Sequence, residues 1–192
     1  MNRRWMVLAA ILVALVQIGF LASMIAGRAA VLRNGQEVTL AVEPVDPRDL
    51  LRGDYVVLGY NIGRVPADLF PEEQPRSVPG DGRAVHVRLR ADENGIWQPV
   101  AASFDAPPSA MAAEGEVDIR GTTHSRWDEG TSHIDVRYGI ERFYVPEGEG
   151  RAIEADLNVR SFLMKVAVAP DGTAQIKSFH DGETMLYAEP LY

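Results

Sequence analysis

Residues 5 to 27, WMVLAAILVALVQIGFLASMIAG, constrain this chain more than any other stretch, because Gln17 is their only strongly polar side chain. A backbone in hydrocarbon must satisfy its own hydrogen bonds, and a helix of this length crosses a core of roughly 30 Å. The segment therefore reads as an uncleaved transmembrane anchor, with Trp5 suited to the interface at one end. Two alternatives stand beside it. A secretory signal has a shorter apolar core, about 7 to 15 residues, and a clean small-x-small cleavage site, of which Ala26-Gly27-Arg28-Ala29-Ala30 is a poor version; the other alternative is a buried helix of a soluble protein. Arg3, Arg4 and the terminal amine on one side, against Arg28 and Arg33 on the other, give a small positive-inside bias toward a cytoplasmic N-terminus. The expected layout is a cytoplasmic head at 1–4, an anchor at 5–27, a juxtamembrane linker at 28–35 and an extracytoplasmic domain at 36–192. The first partner so implied is the lipid bilayer.

The remaining stretch, about 160 residues, is long enough for one domain with a real core. A net charge of −8 and a pI near 5.0 argue against nucleic acid as a partner, since phosphate binding needs a concentrated basic face and these arginines are scattered among acids. Cysteine is absent, which fits an exported domain without establishing one.

Apolar residues alternate with polar ones at Val38, Leu40 and Val42, at Val85, Val87 and Leu89, and at Val117 and Ile119. Period two marks half-buried strands. Tyr55 to Ile62 is apolar on both faces and is expected as a central strand. Ile134 to Tyr138 starts another strand, carried on by Ile140 and Phe143 to Val145. Pro170-Asp171-Gly172 divides Phe162–Ala169 from Thr173–Phe179 as a hairpin, and Asp181-Gly182 turns into Glu183–Tyr187. One short helix is expected near Gly150 to Val159, where Ile153 and Leu157 lie four apart. Val65–Gly82 and Asp105–Gly115 have the composition of loops, with Leu69-Phe70 either a handle for a partner or tucked under the domain. The fold class is mainly β: a single transmembrane helix followed by a β-sandwich or partly open barrel with one short helix.

Pro44-Val45-Asp46-Pro47-Arg48-Asp49-Leu50-Leu51-Arg52 leads into Gly53-Asp54-Tyr55-Val56-Val57-Leu58-Gly59-Tyr60. The second run matches letter for letter the pattern of the GDYXXLXY family of membrane-anchored bacterial proteins. Tyr138-Gly139-Ile140-Glu141-Arg142-Phe143-Tyr144-Val145-Pro146-Glu147-Gly148 resembles that family's later block. The resemblance implies an anchor in the bacterial cytoplasmic membrane, a β-rich domain and a multispanning membrane protein as partner. It supplies no catalytic residues and no cofactor.

Arg52 to Leu58 also looks like the strand opening of bacterial signal peptidases, which makes an anchored hydrolase one rival reading; a purely structural envelope domain is another. Such enzymes need a serine activated by a neutral lysine. The chain's lysines are Lys165 and Lys177, and Ser161 lies roughly 13 Å from Lys165 along a strand. The histidines, His86, His124, His133 and His180, show no metal-ligand spacing. No catalytic residue, metal or cofactor is assigned. The candidate binding residues are Asp46, Arg48, Asp49, Arg52, Asp54, Tyr55 and Tyr60 from the first block and Glu141, Arg142 and Glu147 from the second, because polar loops beside rigid strands are common binding sites. An ion-pair network within the turn, opened by Gly53, is the plainer account of the same charges.

Overall fold

In a computed structural model of the chain, residues 3–43, 55–70, 82–124, 132–144 and 160–189 are described. The apolar segment forms α1 (Arg3–Asn34), one helix long and apolar enough to cross a membrane, and its apolar window is wholly exposed. The helix does not end where hydrophobicity ends. It continues through the stretch expected as a linker, because Ala29 and Leu32 are buried against the domain and so extend the helix by tertiary packing. Gly35 stops it: its N–H bonds the Val31 carbonyl at 2.8 Å, and a Cβ there would lie 2.6 Å from that oxygen and 3.0 Å from the Val168 carbonyl.

The rest is β-rich. In chain order the strands are β1 (Gln36–Glu43), β2 (Tyr55–Val57), β3 (Gly59–Tyr60), β4 (Arg64–Pro66), β5 (Ala84–Ala91), β6 (Trp97–Phe104), β7 (Glu116–Thr123), β8 (His133–Arg137), β9 (Arg142–Tyr144), β10 (Phe162–Val168), β11 (Ala174–Asp181) and β12 (Thr184–Ala188). They pair antiparallel into one five-stranded sheet ordered β12-β11-β10-β1-β3, a second ordered β4-β8-β7-β5-β6, and a ribbon of β2 with β9. The inward residues of both large sheets, Val38, Leu40, Met164 and Phe179 from one and Val85, Val87, Leu89 and Ile119 from the other, share a single core.

The alternating segments are strands as read. Tyr55–Ile62 is not one central strand: β2 belongs to the ribbon and β3 to the edge of the first sheet, with Leu58 between them in the core. The run is apolar on both faces because the chain passes from one pairing partner to another. A strand that the alternation did not reveal is β6, which contains Pro99. Proline is tolerated there because β6 is an edge strand and a bulge falls at that point in its pairing with β5. Residues 105–115 are irregular, as expected, and Phe70 is buried with its ring stacked on Phe104 at 4.9 Å, so this loop side chain is tucked under its own domain. The expected helix at 150–159 lies outside the described residues.

Candidate functional site

The two motif blocks, about eighty residues apart in sequence, meet in space. Tyr55 stands opposite Tyr144, Val56 opposite Phe143 and Val57 opposite Arg142 in the β2–β9 register. Just past it, the Leu58 N–H donates to the Glu141 carbonyl at 2.9 Å. Two tyrosines then close the junction from opposite sides. The Tyr60 hydroxyl donates to the Ile140 carbonyl at 2.7 Å, and the Tyr138 hydroxyl donates to the Ile62 carbonyl at 2.8 Å. Burial, and then the nearby Glu141 charge, raise both phenols far above the ordinary tyrosine value, so both remain donors at any physiological pH.

Glu141 completes the turn. Its carboxylate accepts the Tyr138 N–H at 2.5 Å and the Gly139 N–H at 3.0 Å, with Gly139 at φ 80°, where an L side chain is strained. Two of the candidate binding residues thus act inward: Tyr60 is in the core and Glu141 holds its own loop. The exposed part of the junction is Val57, 46% accessible, opposite exposed Arg142. For Tyr55 the structure gives the backbone pairing. Asp46, Arg48, Asp49, Arg52, Asp54 and Glu147 lie outside the described residues.

Asn61, which sequence reasoning passed over, joins the sheets beside this junction. Its side-chain oxygen accepts the Ala41 N–H at 3.1 Å, and its amide donates to the Trp97 carbonyl at 2.8 Å and to the Gln98 side chain at 3.0 Å. One side chain therefore ties β1 to β6. An asparagine directly after the motif was the available signal, since a polar amide in an apolar run needs partners.

A second polar group lies on the outer face of the first sheet, the face on which α1 packs. Glu37 on β1 bonds Lys165 on β10 at 3.1 Å and Lys177 on β11 at 2.6 Å. The lysines, through hydrogen bonds first from Lys177, hold the Glu37 carboxyl below the usual carboxylate range. Lys165, weighed above as a serine activator, is thus engaged with Glu37. Nearby, Ser178 Oγ and His180 Nε2 lie 2.7 Å apart, both side chains buried. Desolvation leads in lowering the His180 pKa, with the Lys165 charge acting in the same direction, while Glu37 and the Glu183 backbone oppose it. The imidazole is therefore neutral near pH 7. A Ser and a His two apart in a strand share a face, which was the sequence signal for this pair. Among the described residues no group of three or more His, Cys, Asp and Glu is arranged to hold a metal.

A long, exposed apolar helix leads without a break into a β domain whose two motif blocks are clasped by reciprocal tyrosine hydrogen bonds. The model of the GDYXXLXY protein family matches residues 17–179, and the chain belongs to that family. No curated protein and no solved structure matches it.

Proposed function

We propose that this is a membrane-anchored extracytoplasmic binding or assembly component, accessory to a multispanning protein of the bacterial cytoplasmic membrane. The observation that carries the reading is α1, exposed over its whole apolar length while Ala29 and Leu32 on one side of its last turns are buried against the domain. An uncleaved anchor accounts for both. The small-residue stretch Ala26–Ala30 that a signal peptidase would need extended is helical, and Ala29 is packed against the domain. With the domain fixed to the helix by Leu32 and Gly35, a partner held in the bilayer is presented to the domain in one orientation.

Two features of α1 support a protein partner there. Gln17 is exposed amid apolar neighbours, and its carboxamide finds no donor or acceptor in lipid tails, whereas a neighbouring helix supplies them. Gly19 and Gly27 have open space beside them, and small residues let helix backbones approach. On the domain, Val57 and Arg142 offer an apolar and a cationic contact on a supported ribbon. The test is purification from the native membrane in mild detergent after cross-linking at several positions. Recovery of a multispanning protein, lost in Arg142→Glu or Val57→Asp variants of unchanged melting temperature, is the expected result. Its absence at every cross-linking position overturns the assembly role.

The rival reading is an anchored hydrolase, favoured by the Ser178–His180 hydrogen bond, in which a neutral imidazole is placed to take the hydroxyl proton. A fluorophosphonate probe decides between them. Labelling that disappears in Ser178→Ala establishes a nucleophile, and an unlabelled folded chain removes the reading.

A further inference from the structure

We propose that β12 rests on the surface of the same bilayer that α1 enters, with Met185 and Leu186 seated among lipid headgroups and upper acyl chains. The inference rests on the anchoring role of α1.

It starts from the edges of the sheets. A free edge strand invites pairing, and proteins blunt such edges with charge, proline, brevity or a bulge. Among the described residues, the edges of the two five-stranded sheets are β6, which has Pro99 beside its bulge, β4, which is three residues long with Arg64 and Pro66, β3, which is two residues long, and β12. β12 reads Thr-Met-Leu-Tyr-Ala, with neither charge nor proline. Its single device is a bulge at Leu186, since Phe179 pairs with Tyr187 and His180 already with Met185.

That bulge does something further. Tyr187 faces the core, stacked on Phe179 at 6.4 Å, whereas Met185 stands beside His180, whose neighbour across β10 is Leu163 on the outer face. Met185 therefore projects on the face that carries α1. Met185 is 59% exposed and Leu186 39%, two adjacent apolar side chains in water. Covering the exposed parts of this Met–Leu pair removes apolar surface from water, which is favourable.

The helix says what covers it. α1 is exposed up to Gly27 and becomes buried at Ala29, so the hydrocarbon boundary falls near Arg28. Arg28 Nη2 lies 3.5 Å from Glu189 Oε2, and Glu189 is the residue directly after β12. Leu186 and Met185 are thus roughly 10 and 13 Å along the strand from the point where the helix enters lipid. The headgroup region on each side of the hydrocarbon is about 5 to 8 Å deep. A strand lying along that surface keeps both residues within it. The hairpin tip sets the depth: Glu183 is exposed and Asp181 is paired with Arg160 at 3.2 Å, so these acids stay at the water side and the contact is apolar and shallow. It follows that zwitterionic lipid suffices and that anionic lipid adds nothing.

The absence of native cysteine makes the test clean. Single cysteines replace Met185, Leu186, Leu15 in the apolar helix, and Met111, which is 94% exposed in the 105–115 loop. Each full-length variant is labelled with an environment-sensitive fluorophore and placed in phosphatidylcholine nanodiscs with or without doxyl-labelled lipid. The expected result is blue-shifted emission at 185 and 186 with loss of intensity to a doxyl group near the headgroup, deep quenching at 15, and neither effect at 111. Quenching at 15 with water-like emission at 185 and 186 overturns the proposal and leaves the anchor intact. A blue shift at 185 and 186 without lipid quenching means a protein covers the strand, and overturns it too. No quenching at 15 removes the anchor and this inference together.

Discussion

The outer faces of the two large sheets are covered in opposite ways. Over β5 and β7 the chain covers itself: the 105–115 loop crosses the face, and Arg88 fastens it with a 2.6 Å bond to the Ala110 carbonyl while its fork grips Asp118 through two 2.8 Å bonds. Glu116 closes the arrangement by accepting the Ala113 N–H and pairing with Arg90. Over β10 and β11 the cover is α1, which touches the sheet through its last turns and then leaves it, with Met185 and Leu186 exposed beside that exit. The first face is complete within one chain. The second is covered by α1 at one end and leaves Met185 and Leu186 exposed, while the motif ribbon meets the same sheet from its core side through Phe143, which packs on Phe179 and Tyr187. Both faces carry ion pairs, Arg88 with Asp118 on one and Glu37 with Lys165 and Lys177 on the other; they differ in whether a loop or the helix lies over them.

The largest test of the contrast is Arg88→Ala. The substitution leaves Asp118 and Glu116 without their shared cation and frees the Ala110 and Pro108 carbonyls of the loop, at a cost of about 3 kcal/mol. Denaturant unfolding of the domain should show it. The double variant Arg88→Met with Asp118→Leu should recover most of the loss, because an apolar pair needs no compensation. If the single variant is neutral, the loop is not fastened by this ion pair.

Leu32→Ala probes the other cover. Leu32 is buried under the end of α1, and truncation of a buried leucine costs about 2 to 3 kcal/mol where the site cannot collapse. Here the loss should be local. Amide exchange at residues 29–34 should accelerate while β5 and β7 keep their protection, because helix and strap rest on different sheets. A uniform fall in protection would mean that the two faces are one cooperative unit.

How much of this was legible beforehand depends on which neighbour sets each residue's environment. Val38–Leu40–Val42 and Val85–Val87–Leu89 announce their strands because each alternates against one core. β6 hides behind Pro99, and Tyr55–Ile62 misleads because its two halves pair with different strands. The end of α1 was illegible because Ala29 and Leu32 extend the helix only through contact with β10 and β11. In the candidate site the sequence identified both blocks but not their roles, since tyrosine suits a surface and a core equally. Only the hydroxyl contacts to Ile140 and Ile62 show that Tyr60 and Tyr138 face inward. Ser178 and His180 were visible as a same-face pair once the register of β11 was known.

Tyr60→Phe tests the seam between the faces. It removes one buried hydroxyl and leaves the Ile140 carbonyl unpaired, a cost of about 1 kcal/mol. Tyr138→Phe should cost a similar amount, and because both hydroxyls close one junction the double variant should deviate from additivity. The raised phenol pKa values act at the alkaline end: stability is full below the ordinary tyrosine value of 10.0 and falls as pH rises above it, since the unfolded chain ionises first. A melt series across that range, repeated on the double variant, should lose this alkaline limb.

The smallest effect separates the two faces by acid. His86 lies on the strap-covered face opposite Arg120, and His180 lies on the α1 face opposite Leu163. Burial leads in lowering both pKa values, joined by the Arg120 charge for His86 and by Lys165 for His180, so each folded imidazole resists protonation that the unfolded chain accepts. Their stabilisation is complete above the ordinary value of 6.5 and is lost as pH falls from there through the lowered folded values, where the unfolded state binds the extra protons. His86→Gln and His180→Gln should each flatten part of that acid slope. The faces differ in what else moves. Asp118 and Asp105 counter the burial of His86, and its protonation reports on the domain alone. Protonation of His180 sets a charge beside Lys165 on the sheet that carries α1 and disturbs its bond to Ser178; if that face couples to the helix, in the wild type the exchange protection of residues 29–34 should fall together with domain stability, and in His180→Gln it should not. Equal behaviour in both variants would mean that α1 does not sense the state of the face beneath it.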